Sequence, residues 1–220
     1  MTSELIGKIW NEDCLETMRR MEDKSVDLIV TDPPYGIGRD VLHQKNEGKW
    51  GFKEYGWTNW DTPISVEYFT EMFRVSKNQI IWGANYYPQF LTPSMGWIFW
   101  YKSQPNFSFS DGEFAFTSFQ KKARMYEYAR GNESGFAPLG CDAPNRHPTQ
   151  KPVAVMSWVV NTYSEYDALI YDPFMGSGTT AVACEKLGRR WIGSEINPNY
   201  CKIAEKRIEA VRAQGDLFQP

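Results

Sequence analysis

The chain has 220 residues, 42% hydrophobic and 23% charged, which is enough for one domain with a full core and ordinary for a folded globular protein. Its 24 basic and 27 acidic side chains leave a formal charge of −3, which excludes a protein that coats nucleic acid over its whole surface but allows a local basic face. No apolar run approaches the roughly eighteen residues of a membrane span, and Met1-Thr2-Ser3-Glu4-Leu5 lacks the basic-then-apolar layout of a signal peptide, so a cytoplasmic location without membrane contact is expected.

In chain order, short apolar runs alternate with helix-like segments. The pattern predicts a strand over 8–10, a helix over 14–21, a strand over 27–31, a helix over 66–75 and strands over 79–82, 97–101 and 113–119. A helix over 153–163, a strand over 169–171, a helix over 179–187, a strand over 191–194 and a helix over 198–213 follow. Such alternation predicts a single α/β domain over 1–220, with a doubly wound, mostly parallel sheet and 113–119 as an antiparallel edge strand. Two stretches fit neither pattern. Residues 36–60 combine five glycines with Trp50, Phe52, Tyr55, Trp57 and Trp60 and read as a mobile substrate loop. Residues 120–146 read as a short target-recognition insert, and between Gln120 and Lys151 six basic residues stand against three acidic ones. Within it Lys121, Lys122 and Arg124 are the candidate phosphate contacts.

The four cysteines, Cys14, Cys141, Cys184 and Cys201, form no C-x-x-C pair, and with only His43 and His147 beside them no metal site is expected. They read as reduced thiols. Aromatic residues make up 15% of the chain; most belong in the core, and the surplus suits stacking on bases.

The first motif with chemistry in it is Asp32-Pro33-Pro34-Tyr35, directly after Leu28-Ile29-Val30. Two prolines cannot continue a ladder, so the strand ends there and presents Asp32 and Tyr35 at its carboxyl end, where open α/β sheets bind ligands. An amino group on adenine or cytosine is a poor nucleophile, because its lone pair is delocalised into the ring. If Asp32 and the Pro33 carbonyl each accept one of its N–H bonds, the nitrogen can aim that lone pair at an electrophilic carbon. Pro34 stiffens the turn, and Tyr35 offers a face for an extruded base. A plain strand end with a proline turn is the bland alternative.

The second motif is Asp172-Pro173-Phe174-Met175-Gly176-Ser177-Gly178-Thr179, between Ala168-Leu169-Ile170 and a helical segment. Its glycines permit a tight turn and close backbone approach to a ligand, ahead of the free N–H groups of a helix start. A Walker loop would need Lys before Thr179, and a dinucleotide fingerprint would need Gly where Ala181 stands. Glu195 closes the next strand, where an acidic side chain can bond ribose hydroxyls; a favourable charge near a helix start is the alternative.

With His147-Pro148-Thr149-Gln150-Lys151-Pro152 ahead of the Gly-rich segment, three motifs in this order resemble the N6-adenine and N4-cytosine DNA amino-methyltransferases of the class whose Asp-Pro-Pro-Tyr precedes the cofactor motif. The likeness covers nearly the whole chain. It implies a Rossmann-like methyltransferase fold, S-adenosylmethionine as cofactor, DNA as partner, and direct transfer of the methyl group to N6 of adenine with no cysteine adduct. Asp rather than Ser before Pro-Pro-Tyr tilts the likeness to adenine; N4 of cytosine, an RNA substrate and a module that binds cofactor without turnover are the alternatives. The resemblance places His147, Thr149 and Lys151 near the methionine carboxylate, and Asp32, Asp172, Phe174, Gly176, Ser177, Gly178, Thr179 and Glu195 around the cofactor. Asp13 and Cys14 then meet its adenine ring, with Glu12 standing where the family carries Gly. An insert as short as 120–146 implies recognition of few bases, relaxed specificity, or a homodimer that completes the DNA surface.

Overall fold

In the computed structural model, which describes residues 2–38, 61–103, 110–129 and 150–216, short apolar runs form the strands of one eight-stranded sheet, and successive side chains of each run point to its two faces. The strands are β1 (Ile9–Trp10), β2 (Val26–Thr31), β3 (Ser76–Trp82), β4 (Trp97–Tyr101), β5 (Gly112–Thr117), β6 (Arg124–Glu127), β7 (Leu169–Asp172) and β8 (Arg190–Ser194). Their order is β1-β8-β7-β2-β3-β5-β4-β6. Every adjacent pair is parallel except the two that β5 makes with β3 and β4, so β5 alone runs against the rest.

The helices are α1 (Cys14–Arg19), α2 (Val66–Val75), α3 (Val153–Tyr163), α4 (Thr179–Leu187) and α5 (Pro198–Asp216). On one face Val26, Ile29, Ile81, Tyr171 and Ile192 meet Leu15 and Met18 of α1 and Phe69 and Met72 of α2. On the other, Leu28, Val30, Ile80, Trp82 and Ile170 meet Val155 and Val159 of α3, Ala181 to Cys184 of α4, and Ala204 and Ile208 of α5. Successive residues of one strand thus serve opposite layers, as Leu28, Ile29 and Val30 do in β2. Asp13 caps α1 by accepting the Leu15 N–H at 2.9 Å, and Gly188 ends α4 in the left-handed conformation. Among the described residues no helix is long and apolar enough to cross a membrane.

Most expected elements are found within a residue or two. Two differ. The strand expected over 113–119 as an edge is antiparallel, but it lies inside the sheet between β3 and β4; Ala115, Phe116 and Thr117 are accordingly all buried. The edge belongs to β6, within the stretch expected to lack regular structure. Its four residues are mostly exposed and show no apolar run, so periodicity gives no sign of a strand held by pairing with β4. Residues 39–60 of the expected substrate loop and 130–146 of the expected insert lie outside the described residues.

Ile29 is fully buried in β2, with β3 and β7 on either side. Ile29→Ala is expected to remove about 2–5 kcal/mol of stability, measured as a lower urea midpoint with unchanged slope. A midpoint equal to that of the parent chain would contradict this placement.

Candidate active site

β2 and β7 pair in parallel, with Leu28 opposite Ile170 and Ile29 opposite Tyr171, so their carboxyl ends emerge together. The chain winds away in opposite directions from them, toward β3 on one side and β8 on the other, which leaves a crevice at this switch point. Asp32-Pro33-Pro34-Tyr35 leaves β2 here, and the Gly-rich loop leaves β7. The Thr31 hydroxyl donates to Asp172 Oδ1 at 2.8 Å, and the Thr180 hydroxyl to Oδ2 at 2.6 Å. Burial raises Asp172 to about 6, against the pull of these hydroxyls and the Phe174 N–H.

The segment after β2 is pinned from outside. Buried Asp61 accepts the backbone N–H groups of Tyr35, Gly36 and Ile37 at 2.8–3.0 Å, and the Tyr87 hydroxyl donates to the Pro34 carbonyl. The Tyr35 hydroxyl donates to Asp32 Oδ1, and its ring stacks on Tyr86 with centroids 4.8 Å apart. Gly83, at φ +63°, makes room for that ring: a Cβ there would stand 1.9 Å from Tyr35 Cε1.

Lys151 donates to Asp32 Oδ2 at 2.5 Å and pairs with Glu113 Oε2 at 3.0 Å. Lys102 holds the other oxygen of Glu113 at 2.6 Å. The side chains of Lys151 and Lys102 are only 5% and 7% exposed, and the two ammonium groups lie over the rings of Trp82 and Trp100. Burial opposes charge on both carboxyls. Glu113, served by two lysines, is nevertheless held at about 2. Asp32 shares one lysine and faces the Glu113 charge, so burial prevails and raises it above the usual carboxylate range. Lys151, between two carboxylates, is raised despite its own burial.

On the β7 side, Glu195 Oε2 accepts the Gly176 N–H and Oε1 the Asn197 N–H, both at 2.8 Å. Burial raises Glu195 to about 7, although both N–H groups pull the other way. Gly178 opens α4 in the left-handed conformation, and a Cβ there would stand 2.7 Å from Ala204. Ser177 donates to the Gln150 side chain at 2.9 Å and its carbonyl accepts from Arg207. Asp13 holds the Tyr68 hydroxyl at 2.8 Å, and Tyr68 lies 5.9 Å from Phe174, centroid to centroid. Glu12 bonds Thr17 and Arg20 and is not among the residues at positive φ, so the position makes no demand for glycine.

Asp32, Tyr35, Lys151, Asp172, Gly176, Gly178 and Glu195 thus gather at one edge of the sheet, with Asp13, Cys14 and Phe174 beside the Gly-rich loop. Lys151, expected at a cofactor carboxylate, is placed between Asp32 and Glu113. His147 and Thr149 lie outside the described residues. Lys121, Lys122 and Arg124 are exposed in and just before β6. Cys14, Cys184 and Cys201 are buried free thiols, and burial pushes all three up, Cys201 to about 12, which suits packing rather than nucleophilic attack. Sequence reading missed Asp61, Glu113, Lys102, Tyr68 and Tyr86. For Glu113 and Lys102 a signal was available: charged residues in or beside apolar strands.

Residues 75–206 match the profile of a family described as DNA methylase, covering N6 and N4 enzymes. The type II methyltransferase M.HpaI of Haemophilus parainfluenzae is 28% identical over 90% of this chain and 73% of its own length. Among solved structures, the complex of M1.HpyAVI with SAM superposes with a TM-score of 0.58 at 24% identity, over 91% of this chain and 98% of that one. The cytosine-N4-specific PvuII DNA methyltransferase gives 0.60 at 18% identity, over 94% and 90%. At these identities the structural likeness speaks for the fold.

Gly83→Ala is expected to force the Tyr35 ring off Tyr86 and to cost about 1–2 kcal/mol through the left-handed backbone alone. Chemical denaturation and a crystal structure of the variant check this. Unchanged stability with the ring still in place would refute the close-approach argument.

Proposed function

We propose, starting from the fact that this chain belongs to the DNA methylase family of N6 and N4 amino-methyltransferases, that it methylates N6 of adenine in DNA with S-adenosylmethionine as donor. The observation that carries this reading is the adjacency of Asp32 and the Gly-rich loop at the ends of paired strands. The residues around the loop fit such a cofactor. Glu195 retains acceptor capacity for ribose hydroxyls beyond its two backbone bonds. Asp13, Cys14 and the Tyr68–Phe174 pair offer polar and ring contacts for an adenine. The N–H groups opening α4, with Arg207 behind them, suit a carboxylate. When bound, S-adenosylmethionine supplies an electrophilic methyl group.

The chain's own residues then orient the nucleophile. Each oxygen of Asp32 accepts one hydrogen bond, from Tyr35 or Lys151, and a carboxylate oxygen can accept two, so a target N–H can be taken without a partner leaving. With the Pro33 carbonyl on the second N–H, the nitrogen lone pair points away from both acceptors. Asp32 also stabilises the positive charge that develops on that nitrogen. Tyr35 and Tyr86 provide the aromatic surface for an extruded base. Lys121, Lys122 and Arg124 serve DNA phosphates in this reading, and Asp rather than Ser before Pro-Pro-Tyr supports adenine. N4 of cytosine is the second reading, favoured by the likeness to the PvuII enzyme.

Asp32→Ala is expected to lower methyl transfer to unmodified DNA by orders of magnitude while calorimetry finds cofactor affinity nearly unchanged. Mass spectrometry of nucleosides from DNA treated with the parent enzyme should find N6-methyladenine. N4-methylcytosine alone would keep the mechanism and change the base; full activity of Asp32→Ala would discard the mechanism.

Because burial raises Glu195 to about 7 and ribose hydroxyls bond an ionised carboxylate more strongly than a neutral one, cofactor affinity should rise severalfold between about pH 6 and pH 8. Binding drives the proton off below that pKa, so the gain levels off above it. Calorimetry across this range should show the rise in the parent chain and its loss in Glu195→Gln, where Asp172, at about 6, is still present. A flat profile in the parent chain would refute the assignment.

A further inference from the structure

We propose that Glu113 is a positioning residue of this reaction: by taking a share of the Lys151 ammonium, it keeps Asp32 a strong acceptor for the target amino group. The inference rests on the role proposed for Asp32. β5 runs antiparallel between β3 and β4, so its beginning lies where those strands end. That direction delivers Glu113, the second residue of β5, to the edge that carries Asp32. Trp100 faces Glu113 across the β4–β5 ladder, and Lys102, just beyond β4, reaches Glu113 at 2.6 Å.

Two carboxylates and two ammonium groups therefore form one chain of contacts: Lys102, Glu113, Lys151, Asp32. An ammonium facing Asp32 alone would bind its oxygen strongly, weaken it as an acceptor and set an uncompensated positive charge beside a nitrogen that turns positive in the reaction. Glu113, 3.0 Å from the same Nζ, cancels that charge locally while leaving Asp32 anchored. Lys102 in turn keeps Glu113 ionised. The raised Asp32 and the strongly acidic Glu113 agree with this division.

Among the described residues, the other groups facing Asp32 are Tyr35 on its own segment and Asp172 at the end of β7. Neither changes in the variants that test the proposal. The measurement is the pH profile of kcat for tritiated methyl transfer to unmodified plasmid DNA, its acid limb reporting ionisation of Asp32. In Glu113→Gln, kcat should fall about tenfold with KM for DNA and cofactor little changed, and the acid limb should move about one unit to lower pH. Lys102→Gln should move the limb the other way, because Glu113 then weighs more heavily on Lys151 and Asp32. A residue that serves only the fold moves neither limb. Limbs at the parent position in both variants, or movement in one direction in both, overturn the proposal while Asp32→Ala remains inactive. Full activity of Asp32→Ala overturns the reading beneath it instead. If Glu113→Gln fails to fold, the upward shift in Lys102→Gln decides alone.

Discussion

The parallel ladder between β2 and β7 joins two strand ends far apart in the chain, and the bond from Thr31 to Asp172 sets their relative height. In the proposed reading one end carries the carboxylate that faces the target nitrogen, and the other the glycine loop that takes the cofactor. Everything else at this edge is arranged around that junction: Glu195 clasps the loop from β8, Asp61 and Tyr87 pin the proline turn, and β5 brings in charge from the far side. No covalent step is needed from the protein in this chemistry, so its contribution is placement and a fixed field.

Much of the framework could be read from the sequence because the short apolar runs of β2, β3, β7 and β8 match strands of a sheet covered on both faces. The proline pair after β2 and the glycines after β7 are legible for the same local reason, since only strand ends and tight turns tolerate them there. What escaped is non-local. β6 has no apolar signature and exists through its pairing with β4. The interior position of β5 depends on which strands flank it, which alternation within β5 does not encode. Asp61 is an ordinary acidic letter in the sequence, Glu113 and Lys102 stand out there only as charges in or beside apolar strands, and Lys151, whose motif was recognised, takes its partners from either side of β3.

A group of four charges with buried ammonium groups and half-buried carboxylates is unusual for a site whose reaction begins with a cationic donor and a neutral base. Isolated, each of these groups would be expensive to bury; paired in series, each compensates its neighbour. The aromatic faces of Trp82 and Trp100 beneath the ammonium groups extend that compensation. In the proposed reading the arrangement fixes charge before substrate arrives, so little reorganisation accompanies the reaction.

The three bonds to Asp61 carry one more implication. The chain that departs at Ile37 is tied at Asp61, and Gly36 lies so near Pro63 that a Cβ would come within 2.7 Å of its ring. Both ends of the intervening segment are therefore fastened to the same spot, and lengthening it adds only a slowly growing entropic cost. The proline turn therefore keeps its anchor at Asp61 whatever the length of the chain between Ile37 and Asp61.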